Sequence, residues 1–409
     1  MKIAVLCNDT RGGVQPYVAL AMGLRDAGHD VRAVAPSDLA PMFSDRDIPV
    51  APLSGSIEAF LRASQGAAEG GTLSSMRLSM QAMPKMLKTW TQETLDACEF
   101  ADILTGGIGG MIVGEPVAEK LKRPFVQTHL QPLGAPTDRY PGVLLAKTPA
   151  LLGAWGRRVS HTLCEAIVWG PFRSAMKPVR REVLGLASKS KITSDLPVIY
   201  GISPHVVPIP NEGSPERIAT GYWTLPDDPS WAPSPELRAF VERDGPLVSV
   251  GFGSMTSADA SALTALVINA VRSVGARVLL LSGWAGVGQD ESAPDVMSLR
   301  SVPHSWLFAK THANVHHGGA GTTGASLRAG VPSLVIPFMM DQPFWGGRVQ
   351  ALGAGPAPIP RKQLTQQKLS RALAQCLSDD TLKTRARELG HRISAEDGVH
   401  NAVQIFSRL

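Results

Sequence analysis

The stretch Val315 to Pro337, VHHGGAGTTGASLRAGVPSLVIP, concentrates residues that could do chemistry. An apolar run ends in His316 and His317, turns through Gly318, Gly319 and Gly321, and enters a helical segment at Thr322 and Thr323. Glycines permit close backbone approach, and a helix start offers unpaired N–H groups and a favourable dipole. Hydroxyls and an imidazole at that start suit a diphosphate. The segment is read as neither a Walker loop, since no G-K-[ST] follows, nor a dinucleotide fingerprint. A metal set drawn from His304, His312, His316 and His317 is the competing reading, but no carboxylate or cysteine lies close by to complete it. No metal is expected.

Two further groups carry the same theme. The run GFGSM puts Ser254 just beyond the carboxyl end of a strand, where open α/β sheets bind ligands. Asp341 and Gln342 follow another strand end. A paired acid and amide can hold neighbouring sugar hydroxyls, and Asp341 also reads as a helix N-cap.

The elements that must position these groups are legible as periodicity. Lys2 to Asn8 is apolar throughout, as a strand covered on both faces should be. From Gln15 a helical stripe runs through Tyr17, Leu20, Leu24 and Ala27, and Gly28 stands where a left-handed cap belongs. Val31 to Ala35 is again strand-like, completing a β-α-β unit. Ile103–Leu104 and Pro124–Gln127 are further strands. A second series begins at Leu247, with strands Leu247–Gly253, Arg277–Ser282, Ala313–His317 and Pro332–Pro337 and helices Ala260–Val274 and Thr322–Ala329. Between the series, Ser203 to Pro235 holds eight prolines and reads as a linker. The expected architecture is α/β, two doubly wound domains facing a central cleft. Residues 1–210 form the first, 211–235 the linker, and 236–396 the second.

Composition limits the rest. The 409 residues carry 40 basic and 35 acidic side chains, a net +5 too mild to imply nucleic acid. Cys7, Cys98, Cys164 and Cys376 are too scattered for a disulfide scaffold or zinc knuckle. No run is long and apolar enough to cross a membrane, and the N-terminus reads as a buried strand rather than a secretory signal, so a cytoplasmic protein is expected. Met76, Met80, Met83 and Met86 recur at helical spacing, as a core stripe or the lining of an apolar pocket. Arg157 to Lys191 is basic, as a solvated helix face or a weak peripheral membrane contact.

The quoted segments, together with TRGGVQPYVALAMGLRDAGHDV, YGISPHVVPIP, ATGYW, VPHSWLF and AGVPSLVIPFMMDQPFWGGRV, resemble the UDP-glycosyltransferase superfamily (glycosyltransferase family 1). The branch most resembled holds sterol 3β-glucosyltransferases and actinobacterial antibiotic glycosyltransferases. The resemblance implies the GT-B fold, with the acceptor in the N-terminal domain, the nucleotide sugar in the C-terminal domain, and residues 397–409 as a helix crossing back. It implies donor diphosphate contacts from Ser254, His316, Gly318, Gly321 and Thr322, base contacts from Val302 and His304, and sugar contacts from Asp341 and Gln342. Met76, Met80, Met83 and Trp345 would bind a lipophilic acceptor: a sterol, triterpenoid, polyketide or glycolipid. UDP-glucose is the expected donor, with a dTDP-sugar as competitor, and no cofactor is required. Transfer would invert the anomeric centre.

One position departs from that pattern. The branch usually reads R-G-D-V-x-P, its aspartate serving as base, whereas this chain reads Arg11-Gly12-Gly13-Val14-Gln15-Pro16. Gly13 cannot accept a proton. Asp9, His129 and Asp138 are the substitutes, Asp9 first because it shares the loop. If Asp9 is the base, Gly13→Asp should raise activity, or at least not lower it, provided the backbone there does not demand a positive φ. The alternative is a non-catalytic homologue that binds a sugar nucleotide for a partner enzyme.

Overall fold

Short apolar runs buried on both faces belong inside parallel sheets, and the chain builds two. The computed structural model describes residues 1–55, 73–146, 150–188, 195–211, 215–253, 260–282 and 293–409. The first half runs β1 (Lys2–Leu6), α1 (Arg11–Asp26), β2 (Asp30–Pro36), α2 (Pro41–Ser44), β3 (Val50–Leu53), α3 (Leu73–Cys98), β4 (Ile103–Gly106), α4 (Ile108–Leu121), β5 (Phe125–His129), α5 (Gly153–Glu182), β6 (Val198–Tyr200) and β7 (Arg217–Ala219). Its sheet has the order β3-β2-β1-β4-β5-β6-β7, every pair parallel.

The second half runs α6 (Pro235–Glu242), β8 (Leu247–Gly251), α7 (Ala260–Arg272), β9 (Arg277–Leu281), β10 (Val296–Leu299), α8 (His304–Phe308), β11 (Ala313–His316), α9 (Ala320–Arg328), β12 (Ser333–Val335), α10 (Gln342–Ala351), α11 (Gln366–Ser378), α12 (Asp380–Ser394) and α13 (Gly398–Phe406). Its parallel sheet is ordered β10-β9-β8-β11-β12.

Local chemistry explains the element ends. After α1, Gly28 adopts φ 86°, its N–H reaches the Arg25 carbonyl, and the His29 N–H reaches Leu24. This is a Schellman cap, and it turns the chain straight into β2. The helix itself starts at Arg11 rather than Gln15, so Gly12 and Gly13 belong to its first turn. The expected linker is corrected in part. Arg217–Ala219 pairs with β6, and Trp223 is buried edge-to-face on Tyr17, ring centroids 5.7 Å apart. A three-residue strand at the sheet edge fits between prolines because its outer side needs no ladder bonds.

The two halves share apolar packing. Leu133, Tyr140, Tyr200 and Val206 from the first half cluster with Val335, Phe344, Trp345 and Val349 from the second. Arg348 adds a fork, Nε and Nη2 both donating to the Val206 carbonyl at 2.9 and 2.7 Å. At the end of the described chain, α13 packs on α1. Ala402, Val403 and Phe406 join the core of Val14, Val18 and Leu24, and Val399 lies against Gly23. Asp397 caps this helix through the His400 N–H. Because Phe406 is fully buried there, Phe406→Ala should cost about 3–5 kcal/mol. Denaturant unfolding followed by a probe in the first domain checks this.

Candidate active site

Both sheets reverse strand order at one point, between β1 and β4 and between β8 and β11. Open α/β sheets bind ligands beyond the carboxyl ends of their strands at such points. Here the two points face each other. A Cβ built on Gly321 would have the Gly12 carbonyl as its nearest neighbour, 3.7 Å away. The Asp9 carboxylate acts on Asp341, and the Arg11 guanidinium on His304.

On the C-terminal side, His316 ends β11 opposite Gly251 of β8. It is 1% exposed. Its Nδ1 accepts the Gly318 N–H at 3.1 Å, which assigns the ring proton to Nε2, and Nε2 has no hydrogen-bond partner among the described residues. Burial, then the neighbouring His317 and His304, lowers its pKa to about 3, so the ring is neutral at pH 7. Gly318 sits at φ 92°, and a Cβ there would strike Val335 at 2.6 Å. Only glycine makes this turn, and the turn aims the start of α9 at the cleft.

Gly319 is the N-cap of α9 and supplies no side-chain cap, and no acid occupies the first turn. The N–H groups of Ala320, Gly321 and Thr322 therefore lack intrahelical acceptors. Thr323 keeps a buried, unpartnered Oγ1. A neutral N–H donor and bare helix N–H groups stand at the start of α9, with a buried hydroxyl in its first turn, and donors of this kind suit an anion. Among the described residues, no group of three or more His, Cys, Asp or Glu could hold a metal ion. One reading of the sequence is corrected here. Gly319, Gly321 and Gly324 do have G-x-G-x-x-G spacing, and Gly324 is the close-packing member, its missing Cβ facing the Tyr222 ring at 2.9 Å.

The other C-terminal residues divide. Ser254 lies outside the described residues. Val302 is buried beside α8, and His304 is half-buried, stacked on Phe308 at 4.5 Å. Burial and Arg11 lower the His304 pKa to about 4. Asp341 occupies the N-cap position of α10 without capping it. Its Oδ2 instead accepts the Trp345 Nε1–H at 2.8 Å. Burial, aided by Asp9, raises its pKa to about 6. Gln342 is buried, and its Oε1 accepts the Phe338 and Met339 N–H groups at 2.7 and 3.1 Å, so that oxygen shapes the turn. Trp345, expected at the acceptor, is 0% exposed in the interdomain core and works by holding Asp341.

On the N-terminal side, Asp9 follows β1 and is half-buried. Its Oδ1 accepts the Thr10 N–H at 2.6 Å, and burial raises its pKa. A Cβ built on Gly13 would lie 2.3 Å from Asp9 Cγ and 2.5 Å from Oδ2. Gly13 has ordinary helical φ, so the backbone would tolerate a side chain, but the Asp9 carboxylate already occupies its space. An aspartate added at position 13 would thus need the Asp9 carboxylate to move, a constraint beyond the φ condition.

His129 is buried, tilted on Tyr200 at 5.5 Å, and burial lowers its pKa to about 4, which makes it a poor base. Asp138 is exposed on a surface loop, where its backbone carbonyl receives Arg157 Nε. Met83 packs with Met86 into the core against Leu87 and Trp90, so it belongs to a core stripe. The side chains of Met76 and Met80 lie outside the described residues. Arg11 and Arg348 were missed, both being isolated cations whose roles depend on the facing domain.

The chain is similar to known proteins. Residues 266–408 match the family described as erythromycin biosynthesis protein CIII-like, C-terminal domain. The whole chain aligns with a sterol 3-beta-glucosyltransferase of Aspergillus clavatus at 33% identity over 425 residues, and with one of Emericella nidulans at 34% over 427. It spans only 30% of the length of either. Two solved structures cover essentially all of it. Glycosyltransferase VinC in complex with dTDP has a TM-score of 0.69 at 20% identity, covering 100% of this chain and 99% of that one. SsfS6 from Streptomyces sp. SF2575, complexed with thymidine diphosphate, has a TM-score of 0.66 at 19%, covering 100% of both.

This is the GT-B fold, and the chain resembles the UDP-glycosyltransferase superfamily from end to end. In this GT-B chain the carboxylates of Asp9 and Asp341 stand on opposite walls of the cleft. The raised pKa of Asp341 means that its ionised form opposes folding. The cost is absent below the ordinary carboxylate range near ~3.9 and complete once pH exceeds about 6. Asp341→Asn can still accept from Trp345, so it should raise Tm at pH 8 and leave it unchanged at pH 4. Thermal melts at the two pH values check this.

Proposed function

We propose that the chain transfers a hexose, with inversion and without a metal, from a nucleotide-diphosphate sugar to a hydroxyl of a lipophilic acceptor. The observation that carries this reading is His316, a buried neutral imidazole with an unpartnered Nε2–H, beside the uncapped start of α9. That arrangement would bind the donor diphosphate and stabilise the charge that grows on it as the sugar leaves. The relatives named as sterol 3-beta-glucosyltransferases support a lipophilic acceptor and a glucosyl group, for which we take UDP-glucose as the donor. The dTDP bound by two structural neighbours makes a dTDP-sugar the competing donor.

The base in this scheme is Asp9. The acceptor hydroxyl gives its proton to the Asp9 carboxylate as its oxygen attacks C1. The bond from C1 to the diphosphate oxygen breaks, and its electron pair leaves with the diphosphate, where His316 Nε2–H and the α9 N–H groups receive the charge. A raised pKa suits a proton acceptor better than an ordinary carboxylate does. Asp341 stands across the cleft, where it would accept from donor sugar hydroxyls.

Each part of this scheme has its own test. Calorimetric titration should find UDP or dTDP binding unchanged by EDTA, and loss of binding on chelation contradicts the metal-free reading. His316→Ala should weaken nucleotide binding and cost about 2–4 kcal/mol in the transition state. Asp9→Asn should lower transfer by ~10²–10⁴-fold while nucleotide binding persists. In the parent, kcat/KM should fall on the acid side with an apparent pKa above the usual carboxylate range, because Asp9 must be ionised. Nucleotide binding without turnover on any sterol or polyketide acceptor would favour the non-catalytic reading.

A further inference from the structure

The outer face of α5 and Leu151–Leu152 before it are open to solvent. Leu151 is 100% exposed and Trp155 67% exposed, with Leu152, Leu163 and Ile167 also open to solvent. Trp155 lies on the side of α5 away from the buried Ser160, His161 and Cys164. Steps of three and four residues carry the same line on from Trp155, Leu163 and Ile167 through Gly170 to Arg173, Lys177 and Arg181, all exposed. Arg158 is exposed beside Trp155. The helix therefore has an apolar first half and a cationic second half on one side.

The acids of α5 do not neutralise this line. Glu165 lies off it and is half-buried, and Glu182 is paired with Lys88 at 2.5 Å. Not every base in the stretch belongs to it either. Arg180 is turned inward onto Glu119 at 3.0 Å. Lys189 and Lys191 lie outside the described residues.

We propose that this face docks the protein on an anionic lipid surface, with Leu151, Leu152 and Trp155 entering the headgroup boundary and Arg173, Lys177 and Arg181 lying over acidic headgroups. Apolar area and positive charge on one helix side are the two terms that drive interfacial binding. Tryptophan suits the boundary because its ring is apolar and its N–H is wet. A protein partner of like chemistry would need acids facing the basic half and a pocket for Leu151. A lipid surface supplies both along the ~45 Å of a 30-residue helix without shape matching. No helix of the described residues is long and apolar enough to span a bilayer, so the contact is peripheral.

The inner face of the same helix reaches the cleft. Ser160 Oγ receives the Gly142 N–H at 2.8 Å, and His161 Nε2 contacts the Tyr140 carbonyl at 3.0 Å. Tyr140 packs edge-on against Phe344, and Phe344 against Trp345, which holds Asp341. Docking by the outer face would thus bring the cleft close to a bilayer, from which a lipophilic acceptor could enter. The proposal deepens the acceptor reading and rests on it only for that use.

The test is co-sedimentation of the full chain with vesicles of phosphatidylcholine alone or mixed with phosphatidylglycerol, at low and high salt. No donor or acceptor is present, so its outcome is separate from that of transfer assays in detergent. Binding should need the anionic lipid and weaken with salt. Leu151→Ser/Trp155→Ser should weaken it about tenfold or more. Arg173→Glu/Lys177→Glu should remove the preference for anionic lipid. All four positions are exposed, so both variants should keep the parent Tm and UDP affinity. Absence of vesicle binding, or binding that both variants leave unchanged, overturns the proposal. So does a dimer in sedimentation velocity that Leu151→Ser/Trp155→Ser abolishes, which would assign the face to a second copy of the chain.

Discussion

The carboxylate of Asp9 stands in the space that a side chain at position 13 would fill. A Cβ on Gly13 would come within 2.3 Å of Asp9 Cγ, far inside any tolerated contact. The two positions therefore compete for one space: a side chain at residue 13 would force the Asp9 carboxylate to shift, and glycine at 13 leaves room for it where it stands. The chain has not simply lost a carboxylate from the first turn of α1. It supplies one from the preceding residues to the same place, facing the start of α9 and Asp341.

The opposite wall follows a similar logic of space and charge. Gly318 turns where only glycine can, which leaves His316 at the strand end and α9 pointing into the cleft. Burial keeps the imidazole neutral, so it presents a hydrogen-bond donor without bringing a full charge. The apolar contact through Tyr140, Phe344 and Trp345 and the Arg348 fork onto Val206 hold the walls together. Trp345 links that packing to the chemistry, since the indole that fills the interdomain core also fixes Asp341.

Much of this was legible in the residues. The apolar run of β1, the stripe of α1 and the cap at Gly28 announce a β-α-β unit, because each is a local pattern with one physical cause. The helix start at Gly319 to Thr323 was legible for the same reason. Strand β7 was not, because prolines on either side of three residues look like a linker until a sheet edge is there to receive them. The burial of Trp345 and the exposure of Trp155 were equally hidden: an indole reads alike in a core, at a ligand or at a surface. The contact between Asp9 and Gly13 could not be read either, since it depends on the helix beginning at Arg11 rather than beyond the loop.

The most direct measurement is the transfer rate of four proteins: the parent, Asp9→Gly, Gly13→Asp and the exchange Asp9→Gly/Gly13→Asp. If one carboxylate site is shared by the two positions, Asp9→Gly loses ~10²–10⁴-fold, the scale of a general base. Gly13→Asp alone then falls below the parent, because the two side chains collide, and the exchange recovers a large part of the loss. An exchange protein no faster than Asp9→Gly, with UDP affinity intact, would contradict the account. A Gly13→Asp protein faster than the parent would contradict it equally.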